Sequence, residues 1–247
     1  MLYNEKQEKK MAERFDTELE ELGIRLSEEQ KKQFRRYYEI LVEWNEVMNL
    51  TGITDYDEVN LKHFTDSLTI VRCSDMTRVK RLIDVGTGAG FPGIPLKIVC
   101  PEIEVVLLDS LNKRIKFLNA VIDELGLKNI TALHGRAEDF AKKKEFREQF
   151  DLCVSRAVAN LSTLCEYCLP FVGITGHFVS YKSADSDEEI KNAEKAVRIL
   201  GGEIENVDKF DLPGTNIGRS LVNVKKVRQT PGKYPRKAGL PAKEPLT

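Results

Sequence analysis

Leu82-Ile83-Asp84-Val85-Gly86-Thr87-Gly88-Ala89-Gly90-Phe91-Pro92-Gly93 decides the architecture of this 247-residue chain. A short apolar run over 82–85 stops in a cluster of glycines, and a helical pattern over 92–99 follows. Glycine lacks a Cβ, so the backbone there can turn sharply and approach a ligand closely. Strand, glycine loop and helix in this order open a βαβ unit.

The alternation continues on the C-terminal side of this stretch. Strand patterns fall at 104–108, 130–133, 151–154 and 177–181, and helical ones at 112–125, 161–171 and 188–200, the last stopped by Gly201-Gly202. Such alternation predicts an α/β, Rossmann-like fold: a mostly parallel sheet with helices on both faces. Two later strand candidates, 203–210 and 219–227, flank Pro213-Gly214 with no helix between them, which predicts a C-terminal antiparallel hairpin at one edge.

On the N-terminal side, residues 1–70 read as a helical extension. Ser27 with Gln30 is a capping-box signature. Phe34, Tyr37, Tyr38, Leu41, Trp44 and Met48 recur at helical spacing, an apolar face for docking on the main domain. Residues 71–229 then form the α/β domain. Residues 230–247 form a basic C-terminal tail rich in Pro, Gly and Lys, expected to be extended and mobile on its own.

Charge is balanced overall, with 38 basic against 39 acidic residues, but the ending is basic. A nucleic-acid partner and a merely solvated tail both remain open on charge alone. Cys73, Cys100, Cys153, Cys165 and Cys168 are scattered and odd in number, which suits free thiols in a reducing compartment. Cys165-x-x-Cys168 has no second pair, so core packing is favoured over a metal site. No apolar run is long enough to span a bilayer. No secretion signal follows Met1, so a cytoplasmic location is expected.

In open α/β sheets, ligands bind beyond the carboxyl ends of the strands. A dinucleotide loop reads G-x-G-x-x-G, but Phe91 stands where its third glycine would be. This argues against a nicotinamide-dependent oxidoreductase. The pattern from Asp84 through Gly86, Gly88 and Gly90 is instead similar to the first motif of class I methyltransferases, whose cofactor is S-adenosyl-L-methionine. The helix beginning at Pro92 offers free N–H groups to a carboxylate. Asp109, closing the next strand, suits both ribose hydroxyls of an adenosyl group, and equally suits a helix cap. After the third strand, the Ala137 N–H and the Glu138 carboxylate can read an adenine edge, although Glu138 also reads as a first-turn helix acid.

Further stretches carry a more specific resemblance. They are Trp44-Asn45 with Asn49-Leu50-Thr51; His63-Phe64-Thr65-Asp66-Ser67-Leu68; Asp84 through Pro95; Leu107-Leu108-Asp109-Ser110 with Lys113-Arg114; Arg136-Ala137-Glu138; Ser155-Arg156-Ala157; and Tyr234-Pro235-Arg236-Lys237-Ala238-Gly239 with Pro241. Together they resemble the bacterial small-subunit ribosomal RNA guanine-N7 methyltransferases, the RsmG or GidB family. Thr65 and Thr87 depart mildly from that pattern. The resemblance implies cofactor contacts at Gly86, Phe91, Ala137, Glu138 and Arg156. It also implies a guanine of 16S ribosomal RNA as methyl acceptor, at the decoding-region position numbered 527.

The residues are compatible with that chemistry. Ser155-Arg156-Ala157-Val158 stands where exocyclic-amine methyltransferases carry an Asn/Asp-Pro-Pro-aromatic tetrad. Cys153 lacks the context of a cytosine C5 nucleophile. Guanine N7 presents a lone pair and has no proton to lose, so alignment suffices and no catalytic general base is expected. Arg156 suits guanine O6 and N7, and suits a structural ion pair as well. Lys182 is a weaker candidate at the same end of the sheet. His63 and His134 read as structural. Arg114, Lys113, Arg236 and Lys237 are the expected phosphate contacts for 16S RNA or the small-subunit particle. A metal-free monomer is expected. A small-molecule or protein methyltransferase, and a non-catalytic RNA-binding protein on the same fold, are the remaining alternatives.

Overall fold

A computed structural model describes residues 5–156 and 159–246. Ala157 and Val158, which complete the stretch after the fourth strand, lie outside the described residues. Seven strands, β1 Arg81–Val85, β2 Glu104–Asp109, β3 Ile130–His134, β4 Phe150–Arg156, β5 Val172–Ser183, β6 Gly202–Asp211 and β7 Gly218–Lys226, form one sheet in the order β3-β2-β1-β4-β5-β7-β6. Neighbours from β3 to β5 pair in parallel, and β7 runs antiparallel to both β5 and β6. The helices are α1 Glu5–Glu21, α2 Glu28–Met48, α3 Tyr56–Val59, α4 Asp66–Leu68, α5 Gly93–Val99, α6 Asn112–Glu124, α7 Ala137–Phe140, α8 Leu161–Cys168, α9 Asp187–Ile199 and α10 Leu240–Lys243.

Successive residues of a strand point to opposite faces, and this sheet is apolar on both. Leu82, Val105, Leu107, Leu152, Val154 and Val179 join the core beneath α2, α5 and α6. Their neighbours Ile83, Val106, Leu108, Cys153 and Phe178 join a second core beneath α8 and α9. Cys165 and Cys168 lie fully buried in that second core as free thiols. Strands buried on both sides read as continuous apolar runs, which is why their positions are legible without alternation.

The hairpin stands at one edge as expected. Strand β7 is inserted between β5 and β6. Its Leu221, Val222 and Val224 are all buried, whereas Gly202–Asp211 is rich in charge and suits an edge. Two details differ from the sequence reading. The helix over 161–171 ends at Cys168 and tightens into a 3-10 turn at Leu169–Phe171, because Pro170 has no N–H to continue the ladder. Strand β5 begins at Val172, earlier than its apolar run suggests, its first half disguised by Gly173 and Gly176.

The ending is not free. Arg147 donates to the carbonyls of Thr230 at 2.8 Å and Tyr234 at 2.9 Å. The fully buried Lys226 ammonium donates to Leu169 O and Thr230 Oγ1, with Glu148 3.2 Å away. Tyr234 and Pro241 are buried. The expected mobile tail is therefore a docked segment. Composition records its solvent-facing lysines and not the carbonyls and carboxylates it meets.

Candidate functional site

The reversal of strand order between β1 and β4 opens a crevice at the carboxyl ends of the strands. The glycine loop sits in it. Gly86 N–H donates to Leu108 O at 2.8 Å and Gly88 N–H to Asp109 Oδ2 at 2.9 Å, which ties the loop to the end of β2. Gly88 has φ +63, and a Cβ there would meet nothing closer than Gly86 O at 4.0 Å; the loop faces open space at this point. Gly93 has the opposite role. A Cβ there would lie 2.4 Å from Leu107 Cδ2 and 2.9 Å from Asp84 Oδ2, so only glycine lets α5 press onto the sheet.

Asp84 is expected from the sequence to touch the cofactor, and the structure gives it another task. Its carboxylate is wholly buried. Oδ2 accepts from Thr87 Oγ1 at 2.7 Å and Gly93 N at 2.8 Å, while Oδ1 has no partner among the described residues. Burial pushes the carboxyl up to about 7 against the opposing pull of those two hydrogen bonds. Asp84 fastens both ends of the loop. Gly90 likewise packs inward, under Ile94 and the Tyr37 hydroxyl, and Tyr37 donates to Ala89 O.

A first cavity of about 220 Å³ lies over the ends of β1, β2 and β3. Gly86, Asp109, Ala137 and Glu138 line it, together with Leu108, Ala159, Tyr167 and, from the docked ending, Ala242. Asp109 accepts from Gly88 N and Arg114 at Oδ2 and from Leu111 N at Oδ1. A carboxylate offers about four acceptor positions, so Oδ1 keeps one for a ribose hydroxyl. Arg114 pairs with Asp109 at 3.1 Å. The guanidinium expected on phosphate is thus ion-paired beside the first cavity.

A second cavity of about 580 Å³ lies beside the first and includes Arg156, Lys182, Lys62, His63, Asp66 and Arg219. The two meet where Lys182 Nζ donates to Ala159 O at 2.8 Å. Asp66 is the hub: Oδ2 accepts from Arg156 at 2.8 Å and Oδ1 from Arg219 at 3.0 Å. Lys182 pairs with Glu189 at 2.6 Å. The Lys62, His63 and Asp66 side of the wall comes from a turn of π-helix, Asn60–Thr65, running into α4. Such widened turns are frequent at functional sites.

Phe91 lies under this wall. Its buried ring stacks on His63 at 4.7 Å and Tyr37 at 5.4 Å, with the Arg156 guanidinium 5.1 Å from its centroid. It is not among the residues lining the first cavity. The His63 Nδ1 lies 3.1 Å from Lys62 O and its Nε2 2.8 Å from Thr51 Oγ1. A carbonyl only accepts, so Nδ1 carries the proton and Nε2 accepts. Burial, then Arg156, lowers the imidazole to about 4. Asp66 stands in the quoted stretch 63–68 without a role there, and Arg219 and Tyr167 belong to no quoted motif, because the three converge on the cavities from distant elements. Lys113 and Lys237 are exposed, whereas Arg236 is spent on Glu166, with contacts as short as 2.6 Å. That corrects its expected role as a free phosphate contact.

Strand order, the fastened glycine loop and the cavity at the strand ends define a class I methyltransferase. The solved structure of a mutant of MtNAS superposes with a TM-score of 0.51 at 15% identity, over 79% of this chain and 75% of that one, a likeness of fold alone. The GidB family model, described as rRNA small subunit methyltransferase G, matches residues 30–218. A ribosomal RNA small subunit methyltransferase G of Desulforamulus reducens is 55% identical over 226 residues, 92% of this chain and 94% of the relative. Another from Exiguobacterium sibiricum is 53% identical over 234 residues, 95% and 98% respectively. The chain belongs to the rRNA small subunit methyltransferase G family, and its cofactor is S-adenosylmethionine.

Proposed function

We propose that this chain methylates N7 of a guanine in 16S ribosomal RNA, at the decoding-region position, on the RNA or the small-subunit particle in the cytoplasm. The family supports ribosomal RNA as the substrate. The second cavity supports the base and the atom. It presents Arg156, Lys182, Lys62 and Arg219, each paired with Asp66, Glu189 or Glu58 and each keeping further N–H donors to offer. The Hoogsteen edge of guanine offers two acceptors, O6 and N7. Donors therefore hold O6 while N7 keeps its lone pair for the transfer.

S-adenosylmethionine, when bound, supplies an electrophilic methyl on a sulfonium. Gly86, Asp109, Ala137 and Glu138 hold it in the first cavity. Arg156 and Lys182 orient the acceptor in the second. N7 loses no proton, so it costs nothing that both carboxylates of the second cavity are committed to cations. Catalysis reduces to holding nucleophile and methyl in line, an effect that can supply roughly 7–11 kcal/mol of barrier reduction. Lys113 and Lys237 are left to meet phosphates, so RNA binding weakens with salt.

Mass spectrometry of 16S RNA from cells with and without this gene tests the assignment. Loss of one 7-methylguanosine from the decoding-region fragment is expected, and an unchanged content refutes the substrate. A transcript carrying 7-deazaguanosine isolates the atom. Methyl transfer to it should vanish, and transfer at the ordinary rate would move the acceptor away from N7.

A further inference from the structure

We propose that the end of the C-terminal segment, residues 238–246, is a wall of the cofactor site that closes over bound S-adenosylmethionine, and not an RNA-binding arm. The proposal rests on the cofactor assignment and is independent of the base methylated.

The segment reaches the pocket directly. Ala242 lines the same cavity as Gly86, Asp109 and Ala137. Three residues earlier, Gly239 N–H donates to Glu138 Oε1 at 2.8 Å. Glu138 is buried on α7, lines this cavity and is the carboxylate that the sequence reading assigns to an adenine edge. Gly239 has φ +83, and a Cβ there would touch nothing within 4 Å; its glycine serves the backbone turn that aims the N–H. Glu138 is thus a binding residue positioned by the chain ending.

The fastening comes from α8. Glu166, fully buried, accepts from Arg236 N at 2.8 Å, from Nε at 2.9 Å and from a terminal guanidinium nitrogen at 2.6 Å. Thr163 Oγ1 donates to Pro241 O at 3.2 Å. The same helix supplies Tyr167 to the cavity, so one element holds both the pocket wall and its cover. A buried carboxylate with this many donors cannot release the segment without leaving an unpaired charge behind. The cover is therefore anchored most firmly at Arg236, and beyond it is held by the single hydrogen bonds of Gly239, Pro241 and Glu244.

Size completes the argument. Small-molecule pockets usually span about 300–1,000 Å³. The cavity under the segment, about 220 Å³, falls below that range. A pocket this small fits a stretch after Arg236 that shifts as the cofactor enters and then closes over it.

The experiment compares the full chain with Ala242→Trp, which fills the cavity from an exposed position, and with a deletion of 238–247 that keeps Arg236. Calorimetric titration of RNA-free protein with S-adenosylmethionine, filter binding of a 16S RNA fragment and hydrogen exchange of the segment are the readouts. Both variants should weaken cofactor binding by at least about tenfold, with RNA affinity within about twofold. In the full chain, cofactor should slow exchange over 238–246. Should the deletion lower the melting temperature, Ala242→Trp decides alone. Unchanged cofactor affinity, or lost RNA affinity with cofactor binding intact, overturns the proposal. A full chain that binds no S-adenosylmethionine overturns the cofactor assignment as well.

Discussion

The N-terminal helices and the C-terminal segment pack on opposite faces of the α/β domain, the first reaching the second cavity and the other the first, by different physics. At the N-terminal end the contact is aromatic. Phe15, Phe34, Tyr37, Phe64 and Phe91 form one chain of ring contacts with centroids 5.0–6.2 Å apart. At the C-terminal end it is polar: Arg147, Glu148, Glu166 and Lys226 engage the segment through ion pairs and carbonyls. Apolar docking is non-directional and roughly proportional to area buried. Polar docking depends on every partner being present, because a buried group left alone costs more than its bond contributed. One attachment should fail gradually and the other abruptly.

Phe64→Ala breaks the aromatic side hardest. Its ring is fully buried among four others, so a loss of about 3–5 kcal/mol is expected in urea titration; a loss below about 1 kcal/mol would mean the helices dock elsewhere. On the polar side, Glu166→Ala strands Arg236 and should cost about 3 kcal/mol. Replacing both by methionine should cost clearly less than Glu166→Ala alone. A double replacement as costly as the sum of the singles would show that the pair is not coupled.

Acid sharpens the contrast. The folded His63 imidazole is held down to about 4, against about 6.5 when unfolded. The unfolded chain takes up the proton first as pH falls. The stability from keeping this ring neutral is therefore complete above about 6.5 and is lost progressively toward 4. About 2 kcal/mol should be gone at pH 5, and His63→Asn should flatten that part of the profile. An unaltered slope would place the titration in another group. The smallest effect belongs to the entry of α2, where Ser27 Oγ accepts from Gln30 N and the Gln30 side chain accepts from Ser27 N. Ser27→Ala should cost about 1 kcal/mol and leave the C-terminal side untouched, as seen by hydrogen exchange.

The same contrast explains what was readable beforehand. Phe34, Tyr37 and Leu41 recur at helical spacing because one helix face is buried, so the N-terminal attachment is written as a period. Arg236 and Glu166 lie 70 residues apart and imprint no period on the chain. A basic, proline-rich ending then resembles a solvated arm. Asp84 and Asp109 both stand at strand ends and look equivalent as letters. Both are buried, and position separates them: one carboxylate is enclosed beneath the loop while the other lines the cavity. Arg114 and Arg236 looked like phosphate ligands because charge is visible in a sequence and pairing is not.

By itself, then, the sequence determined the parallel α/β core, the place of the cofactor loop and the docking of the N-terminal helices. Each follows from local rules: apolar runs buried on both faces, glycines where a backbone must turn, a face repeating every helical turn. Only the tertiary structure decided that β7 enters between β5 and β6, that Asp66 gathers Arg156 and Arg219 into a second cavity, and that the chain ending lies over the first. These depend on directional contacts between residues far apart in the chain, where the energy lies in partners that no local pattern names.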